Sequence, residues 1–295
     1  MNKKVALVLS SGGARGMAHI GVVESLVANG FEITSISGSS IGALVGAFHA
    51  SGDLTAYKDW ILKLDKFDLF KLFDFTFSTQ GFIKGEKVFN ELKKFIPDQK
   101  IENLPIPFSA VSTDIRNQKE VVFDSGSMYE AVRASVSVPT VLKPVSADNM
   151  ELIDGAVINP LPIDRIKRTP DDILVVVNVS AKEGFSPPKK SQSQESSYLN
   201  SVNEFLDKWS KYLPGSANVE KKLGYFDLMN RSIDLMQDKM TEFTINKYNP
   251  EILVNISKDA CSTFEFYRAE ELIETGKKAF ESAFEKYNQS SNIDQ

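Results

Sequence analysis

Five apolar residues in a row, Val5-Ala6-Leu7-Val8-Leu9, give way at once to Ser10-Ser11-Gly12-Gly13, and no other feature of the chain constrains its fold as tightly. A half-exposed strand alternates polar and apolar positions. An unbroken apolar run of strand length is instead the pattern of a strand covered on both faces, as in a parallel sheet flanked by helices. The next segment, GMAHIGVVESLVANG, has helical spacing and stops at Gly30, a residue suited to the position after a helix end. Glu32 to Ser37 predicts a second strand, and Ala43 to Ala50 a second helix closed by Gly52. Strand, helix, strand, helix with short turns predicts an α/β fold on a parallel sheet.

Further strands are expected at IPFSAVSTD, KEVVFD, MELID and DILVVVNVS, the last again buried on both faces. From Ala181 the composition turns to Ser, Gln, Lys and Pro, so residues 181–200 are expected to form a polar, mobile loop with little to bury. Beyond it, NVEKKLGYFDLMNRSIDLMQDKMTEFTINK reads as a long amphipathic helix, EILVNIS as a strand returning to the main sheet, and RAEELIETGKKAFESAFEKY as a final helix. The expected organisation is a single domain over residues 1–285. It comprises a core at 4–180, the mobile loop at 181–200, and a helical excursion, returning strand and final helix at 201–285, followed by a disordered tail at 286–295.

A formal net charge of −5, with lysines spread along the chain and no basic block, argues against nucleic acid as a partner. Cys261 is the only cysteine, which excludes an intramolecular disulfide and reads as a small buried hydrophobe. Lys3 and Lys4 precede an apolar run, but Val5 to Leu9 is shorter than the roughly 7–15 residues of a secretion-signal core, and Arg15 follows closely. No window approaches the ~18 apolar residues of a membrane span. The expectation is a cytoplasmic protein whose contact with a membrane is at most peripheral.

The stretch Gly38-Ser39-Ser40-Ile41-Gly42 fits a nucleophile elbow, in which a sharp strand-to-helix turn requires glycines beside an exposed serine hydroxyl. A predicted strand before it and a predicted helix after it supply the context; packing of small residues against a sheet is the competing explanation. Adjacent Gly12 and Gly13 ahead of a helix leave backbone N–H groups bare, the makings of an anion cradle or oxyanion hole. A dinucleotide fingerprint would need glycine where Ser11 stands, and no acidic residue ends the next strand. No phosphate P-loop follows either, and acids such as Asp171 and Asp172 lack the spacing of a Ca²⁺ loop, so no cofactor and no metal are expected.

A serine nucleophile needs a proton acceptor, and the chain has only two histidines, His19 and His49. His49 lies nine residues along the same predicted helix, on the order of 13 Å from Ser40 at the usual helical rise. His19 sits in the first helix, and both read as packing residues. A carboxylate, a lysine or a tyrosine remains. Among carboxylates the best placed is Asp154, at the end of a short apolar strand and followed by Gly155, although Asp-Gly is also an ordinary turn. With an ordinary pKa of about 3.9, an aspartate must be tuned by burial or hydrogen bonding to act as a base near neutrality.

Three motifs, in order, give the chain a resemblance to the patatin-like phospholipases: the glycine-rich loop Ser11-Gly12-Gly13-Ala14-Arg15-Gly16, the elbow Gly38-Ser39-Ser40-Ile41-Gly42, and Asp154-Gly155-Ala156. Similarity also covers VSTDIRN, AVRASVSVPTVLKPV and AVINPLP, so that it runs from about residue 4 to 180. The resemblance implies a three-layer α/β/α sandwich with a mainly parallel central sheet. It further implies a serine acyl hydrolase of lipid carboxyl esters, in which Ser40 attacks, Asp154 accepts its proton, and N–H groups from Gly12 to Arg15 hold the oxyanion. The family pattern has three consecutive glycines where this chain begins with Ser11, a position that would be strained if it required positive φ. Six phenylalanines at 67, 70, 73, 75, 77 and 82 suggest either an acyl-chain pocket or lid meeting a lipid surface, or core packing. Arg15 is placed to meet a phosphate headgroup or to serve structure at a helix start. The alternatives to a lipid hydrolase are a non-catalytic lipid-binding or regulatory module and an esterase or thioesterase for small acyl compounds.

Overall fold

The computed structural model describes residues 3–72, 81–83, 85–182 and 225–293. In chain order the elements are β1 (Lys3–Leu9), α1 (Met17–Ala28), β2 (Phe31–Ser39), α2 (Ile41–Ala50), α3 (Leu54–Ile61), α4 (Lys66–Leu72), β3 (Gly81–Ile83) and α5 (Glu86–Leu92). They continue with β4 (Phe108–Asp114), β5 (Lys119–Phe123), α6 (Met128–Ser135), β6 (Thr140–Leu142), β7 (Val145–Ala147), β8 (Met150–Asp154) and β9 (Ile173–Ala181). Last come α7 (Tyr225–Tyr248), β10 (Ile252–Ser257) and α8 (Ala269–Ile293).

The fold is an α/β sandwich around one main sheet of order β10-β9-β1-β2-β4-β8-β7, with β5 paired to β4. β10, β9, β1, β2 and β4 are mutually parallel, and the antiparallel pairings lie at the β4 end. β1 occupies the interior of the sheet with β9 and β2 on its flanks, and Val5 to Leu9 are all fully buried. Val5, Leu7 and Leu9 join one core with residues of α1, α2 and α8. Val8 joins a second on the opposite face, with Leu161, Ile163, Leu174 and Val176, against which Ile245 and Tyr248 of α7 pack. Helices on both sides thus explain why β1 is apolar at every position of that run.

The pairings of β4 determine where the site lies. Ala110 to Asp114 pair with β5 on one edge of β4, so β2 and β8 divide the other edge between them. β2 pairs up to Ser39 with Val111, and β8, running the opposite way, takes over at the next residue with Asp154 opposite Ser112. The two strands therefore run towards each other and meet end to end.

α1 and α8 approach closely because each contributes a glycine to the contact. A Cβ on Gly21 would lie 1.9 Å from the Ile273 carbonyl oxygen, and one on Gly276 would lie 2.0 Å from that of Ala18. α8 also corrects the expected disordered tail from 286, since it stays helical to Ile293. Its last turns are anchored by stacking of Phe284 on Tyr287 and by the Lys3 ammonium over the Tyr287 ring.

The chain divides into two compact units, residues 1–185 with 235–295 and residues 186–234. The expected polar loop, from residue 183 onward, and the first part of the expected long helix lie outside the described residues. No helix among the described residues is long and apolar enough to cross a membrane.

Candidate active site

Ser40 stands alone between β2 and α2 with φ 54° and ψ −124°. Such a backbone costs a residue other than glycine of order 1–3 kcal/mol and persists only where its surroundings over-determine it. Two of those surroundings are its glycine neighbours. A Cβ on Gly38 would lie 2.5 Å from the Gly42 carbonyl oxygen, and one on Gly42 would lie 2.3 Å from that of Leu9. The turn can therefore double back on itself and press against the end of β1 only with glycine at both places.

The meeting of β2 and β8 brings Ser40 Oγ to 2.6 Å from Asp154 Oδ2, the serine donating. The second carboxylate oxygen, Oδ1, accepts the N–H of Ala156 at 2.8 Å. Gly155 lets the chain leave β8 tightly, since a Cβ there would lie 2.3 Å from the Val111 carbonyl oxygen and 2.9 Å from Ser39 Oγ. Asp154 is buried, and desolvation pushes its carboxyl up to about 6, against the opposing pull of the Ser40 hydroxyl and the Ala156 N–H. A carboxylate so tuned is half-ionised near pH 6 and can accept a proton from the serine it touches.

Neither histidine touches this pair. His19 Nε2 lies 2.9 Å from the Ser10 carbonyl oxygen, and burial lowers its pKa to about 4, leaving a neutral ring that donates to Ser10. His49 lies in the last turn of α2, where burial likewise lowers its pKa.

The glycine-rich loop arrives from the end of β1. Among the described non-glycine residues, positive φ occurs at Ser40, Gln118, Asp148, Asn149 and Asn249, so Ser11 carries no such strain in place of a glycine. Gly13 does adopt φ 59°, and Gly12 is required for space, since a Cβ there would lie 2.3 Å from Val179 Cγ2. Gly16 admits Ile41, whose Cγ2 would lie 2.3 Å from an added Cβ, and so the loop packs on the start of α2.

The backbone N–H groups of the loop differ in their partners. The Ser11 N–H goes to the Pro160 carbonyl and that of Ala14 to the Thr263 carbonyl at 2.8 Å. The N–H groups of Gly12 and Gly13 have no backbone acceptor among the described residues. The Arg15 side chain hydrogen-bonds within the protein: Nε donates to the Val179 carbonyl at 2.9 Å, Nη2 to Ser180 Oγ at 3.3 Å, and Nη1 to the Cys261 carbonyl at 3.4 Å. It laces the loop to the end of β9 and to the segment after β10.

A cavity of about 160 Å³ opens at Ser40 and Gly13 and runs beside α2, lined by apolar side chains that include Leu44, Ile61, Leu69, Leu92, Val136 and Val138. Of the six clustered phenylalanines, Phe67 is exposed, while 73, 75 and 77 and the side chains of 70 and 82 lie outside the described residues. Leu69 and Leu72 of that segment line the cavity.

Two further contacts escape a reading of the sequence. The Ser40 N–H donates to Ser135 Oγ at 2.9 Å, and the Asp154 N–H donates to the Ser137 carbonyl at 2.9 Å. Both acceptors lie in AVRASVSVP, where the only local signal is an alternation of serine and valine at 135–138.

A family model described as "Patatin-like phospholipase" matches residues 7–166. An uncharacterised NTE family protein of Mycobacterium tuberculosis is 30% identical across 96% of this chain and 92% of its own length. Lysophospholipase NTE1 of Pyricularia oryzae is 27% identical over 94% of this chain, which spans only 18% of that longer protein. Among solved structures, VipD from Legionella pneumophila is similar over 96% of this chain and 67% of its own, at 14% identity and a TM-score of 0.45.

Proposed function

This chain belongs to the patatin-like phospholipase family and is a hydrolase of lipid carboxylic esters; from that premise we propose that it works through a dyad of Ser40 and Asp154. The observation that carries the reading is the 2.6 Å hydrogen bond from Ser40 Oγ to a buried carboxylate whose pKa is raised to about 6. In this mechanism Ser40 Oγ attacks the ester carbonyl carbon as Asp154 Oδ2 takes its proton. The carbonyl oxygen becomes an oxyanion facing the N–H groups of Gly12 and Gly13, with the N-terminus of α2 adding a favourable dipole. Asp154 returns the proton to the departing alcohol oxygen; a water molecule, deprotonated by Asp154 in turn, then attacks the acyl carbon, and Asp154 passes that proton to Ser40 Oγ as its bond to the acyl group breaks, releasing the fatty acid.

The apolar cavity beside α2 supports a fatty acyl chain as the group transferred, in preference to a small soluble acyl compound. A lysophospholipid carries such an acyl chain, and a relative of this region is called a lysophospholipase, so we take a lysophospholipid as the substrate to test. The test is labelling by a fluorophosphonate probe bearing an alkyl chain, compared between wild type and Ser40→Ala. Labelling and ester hydrolysis that both vanish in the variant are expected. Equal labelling in the two proteins would remove Ser40, and a labelled protein that turns over no lysophospholipid would replace the substrate class.

A further inference from the structure

Ser40 and Asp154 approach each other from two different strands, and neither strand fixes the other. β2 ends at Ser39 and β8 at Asp154, and the two share only the edge of β4. The segment that touches both ends is the exit from α6. Ser135, its last helical residue, is fully buried and accepts the Ser40 N–H on Oγ at 2.9 Å. Two residues on, the Ser137 carbonyl accepts the Asp154 N–H at 2.9 Å. Ser137 is itself held, since its Oγ donates to the Arg133 carbonyl at 2.8 Å and accepts from the Arg133 guanidinium at 2.5 Å, while Arg133 Nη2 donates to the Lys143 carbonyl.

We propose that the exit of α6 is a gauge that sets the separation of the dyad, with Ser135 a positioning residue that acts through the backbone of Ser40. The proposal rests on the dyad assigned above and goes beyond it. Three facts support the role. Ser40 has a backbone conformation that an L-residue does not keep unaided, and the Ser135 hydroxyl holds it by its backbone N–H. Ser135 is inaccessible to water, so no solvent molecule replaces Oγ if it is lost. The alternating residues, Val136 and Val138, line the acyl cavity, so one short segment sets its serines against the dyad and its valines against the substrate.

That alternation separates a positioning role from a general packing role. Removing Ser135 Oγ leaves the cavity wall in place, so substrate binding survives, whereas the alignment of Ser40 Oγ with Asp154 and with the ester carbonyl is loosened. Misplacement of a reacting group costs far more in turnover than in binding.

The experiment measures kcat and KM on one lysophospholipid, and the rate of fluorophosphonate labelling, for wild type, Ser135→Ala, Ser135→Cys and Ser40→Ala. Cysteine keeps the shape of serine with a larger atom that is a poor acceptor in place of oxygen, and so tests the hydrogen bond in a variant that leaves no cavity in the buried site. The expected result for both Ser135 variants is kcat and labelling rate down by roughly tenfold to a hundredfold with KM within about twofold. Wild-type kcat in either folded Ser135 variant, with Ser40→Ala inactive, overturns the gauge and leaves the dyad standing. Loss confined to KM overturns it equally. Activity retained in Ser40→Ala instead overturns the functional reading on which the gauge rests.

Discussion

Ser40 and Asp154 meet because the strands that carry them run at each other along one edge of β4. Val111 pairs with Ser39 and the next residue, Ser112, pairs with Asp154, so the hydrogen bond between the two side chains spans the point where β2 stops and β8 arrives. The register of β8 is held by Ser112 Oγ donating to the Ile153 carbonyl at 2.7 Å and Thr113 Oγ1 donating to that of Asp154 at 3.0 Å. A slip of one residue would turn the carboxylate to the other face of the sheet.

Activity should fall as pH drops through the pKa of Asp154. Burial raises that carboxyl to about 6, and only the ionised form accepts the serine proton. The profile of kcat/KM against pH should therefore show an acid limb centred near pH 6, rising towards neutrality. A limb near pH 4 would indicate a carboxyl without this tuning, and its disappearance in Asp154→Asn is the control.

Asp154→Asn should nearly abolish turnover, by about a thousandfold or more, while leaving a folded protein. The buried carboxyl is raised above its unfolded pKa of 3.8, so its contribution favours the folded state at low pH and is lost as pH rises through about 6. At pH 8 the wild type therefore carries an ionisation cost of the order of 2–3 kcal/mol that asparagine does not. Thermal unfolding should show Asp154→Asn at least as stable as wild type at pH 8, with the difference shrinking by pH 5.

Gly42→Ala should destabilise the protein and impair the site together. The new Cβ would lie 2.3 Å from the Leu9 carbonyl oxygen and 2.6 Å from that of Ser10, which is backbone that cannot swing aside. A cost of about 1–3 kcal/mol in chemical denaturation is expected, with a loss of turnover, because the displaced segment leads into the glycine-rich loop.

Arg15→Met should lower kcat/KM by a similar factor on esters with and without a phosphate headgroup. The guanidinium is spent on the carbonyls of Val179 and Cys261 and on Ser180 Oγ, and its loss frees the loop without removing a headgroup contact. Comparing a lysophospholipid with a monoacylglycerol of the same chain length checks this. A loss confined to the phosphate-bearing substrate would move Arg15 into the binding site.

Leu44→Trp should narrow the acyl cavity one turn into α2 and change chain-length preference. Hydrolysis of long-chain esters should fall by about tenfold or more while short esters retain their rate. A uniform loss across a series of p-nitrophenyl esters would mean that the acyl chain does not lie beside α2.

Much of this was legible in local pattern. The apolar run of β1, the two strand-turn-helix units, and the strands β4, β5, β8, β9 and β10 all announce themselves by periodicity, because each buries a face set by neighbours in sequence. Histidines too far from Ser40 pointed to a carboxylate. The short helices α3 to α6, together with β3, β6 and β7, have too few residues for periodicity to declare itself. The contacts that refine the site were unreadable for another reason. The Thr263 carbonyl that occupies the Ala14 N–H and the Ser135 hydroxyl that holds Ser40 lie far away in sequence, and nothing near Ala14 or Ser40 encodes them.

The interior position of β1 has a consequence for how the protein is made. The strand is synthesised well before one of its two flanking partners, β9, which ends only at Ala181, so its apolar run waits for that long stretch of chain before both edges are paired. A nascent chain stalled before β9 exposes an unpaired, uncharged edge, the kind of surface that chaperones bind and that aggregates at high concentration. The same connectivity makes folding depend on pairing across long loops, and so the domain closes late and as a whole.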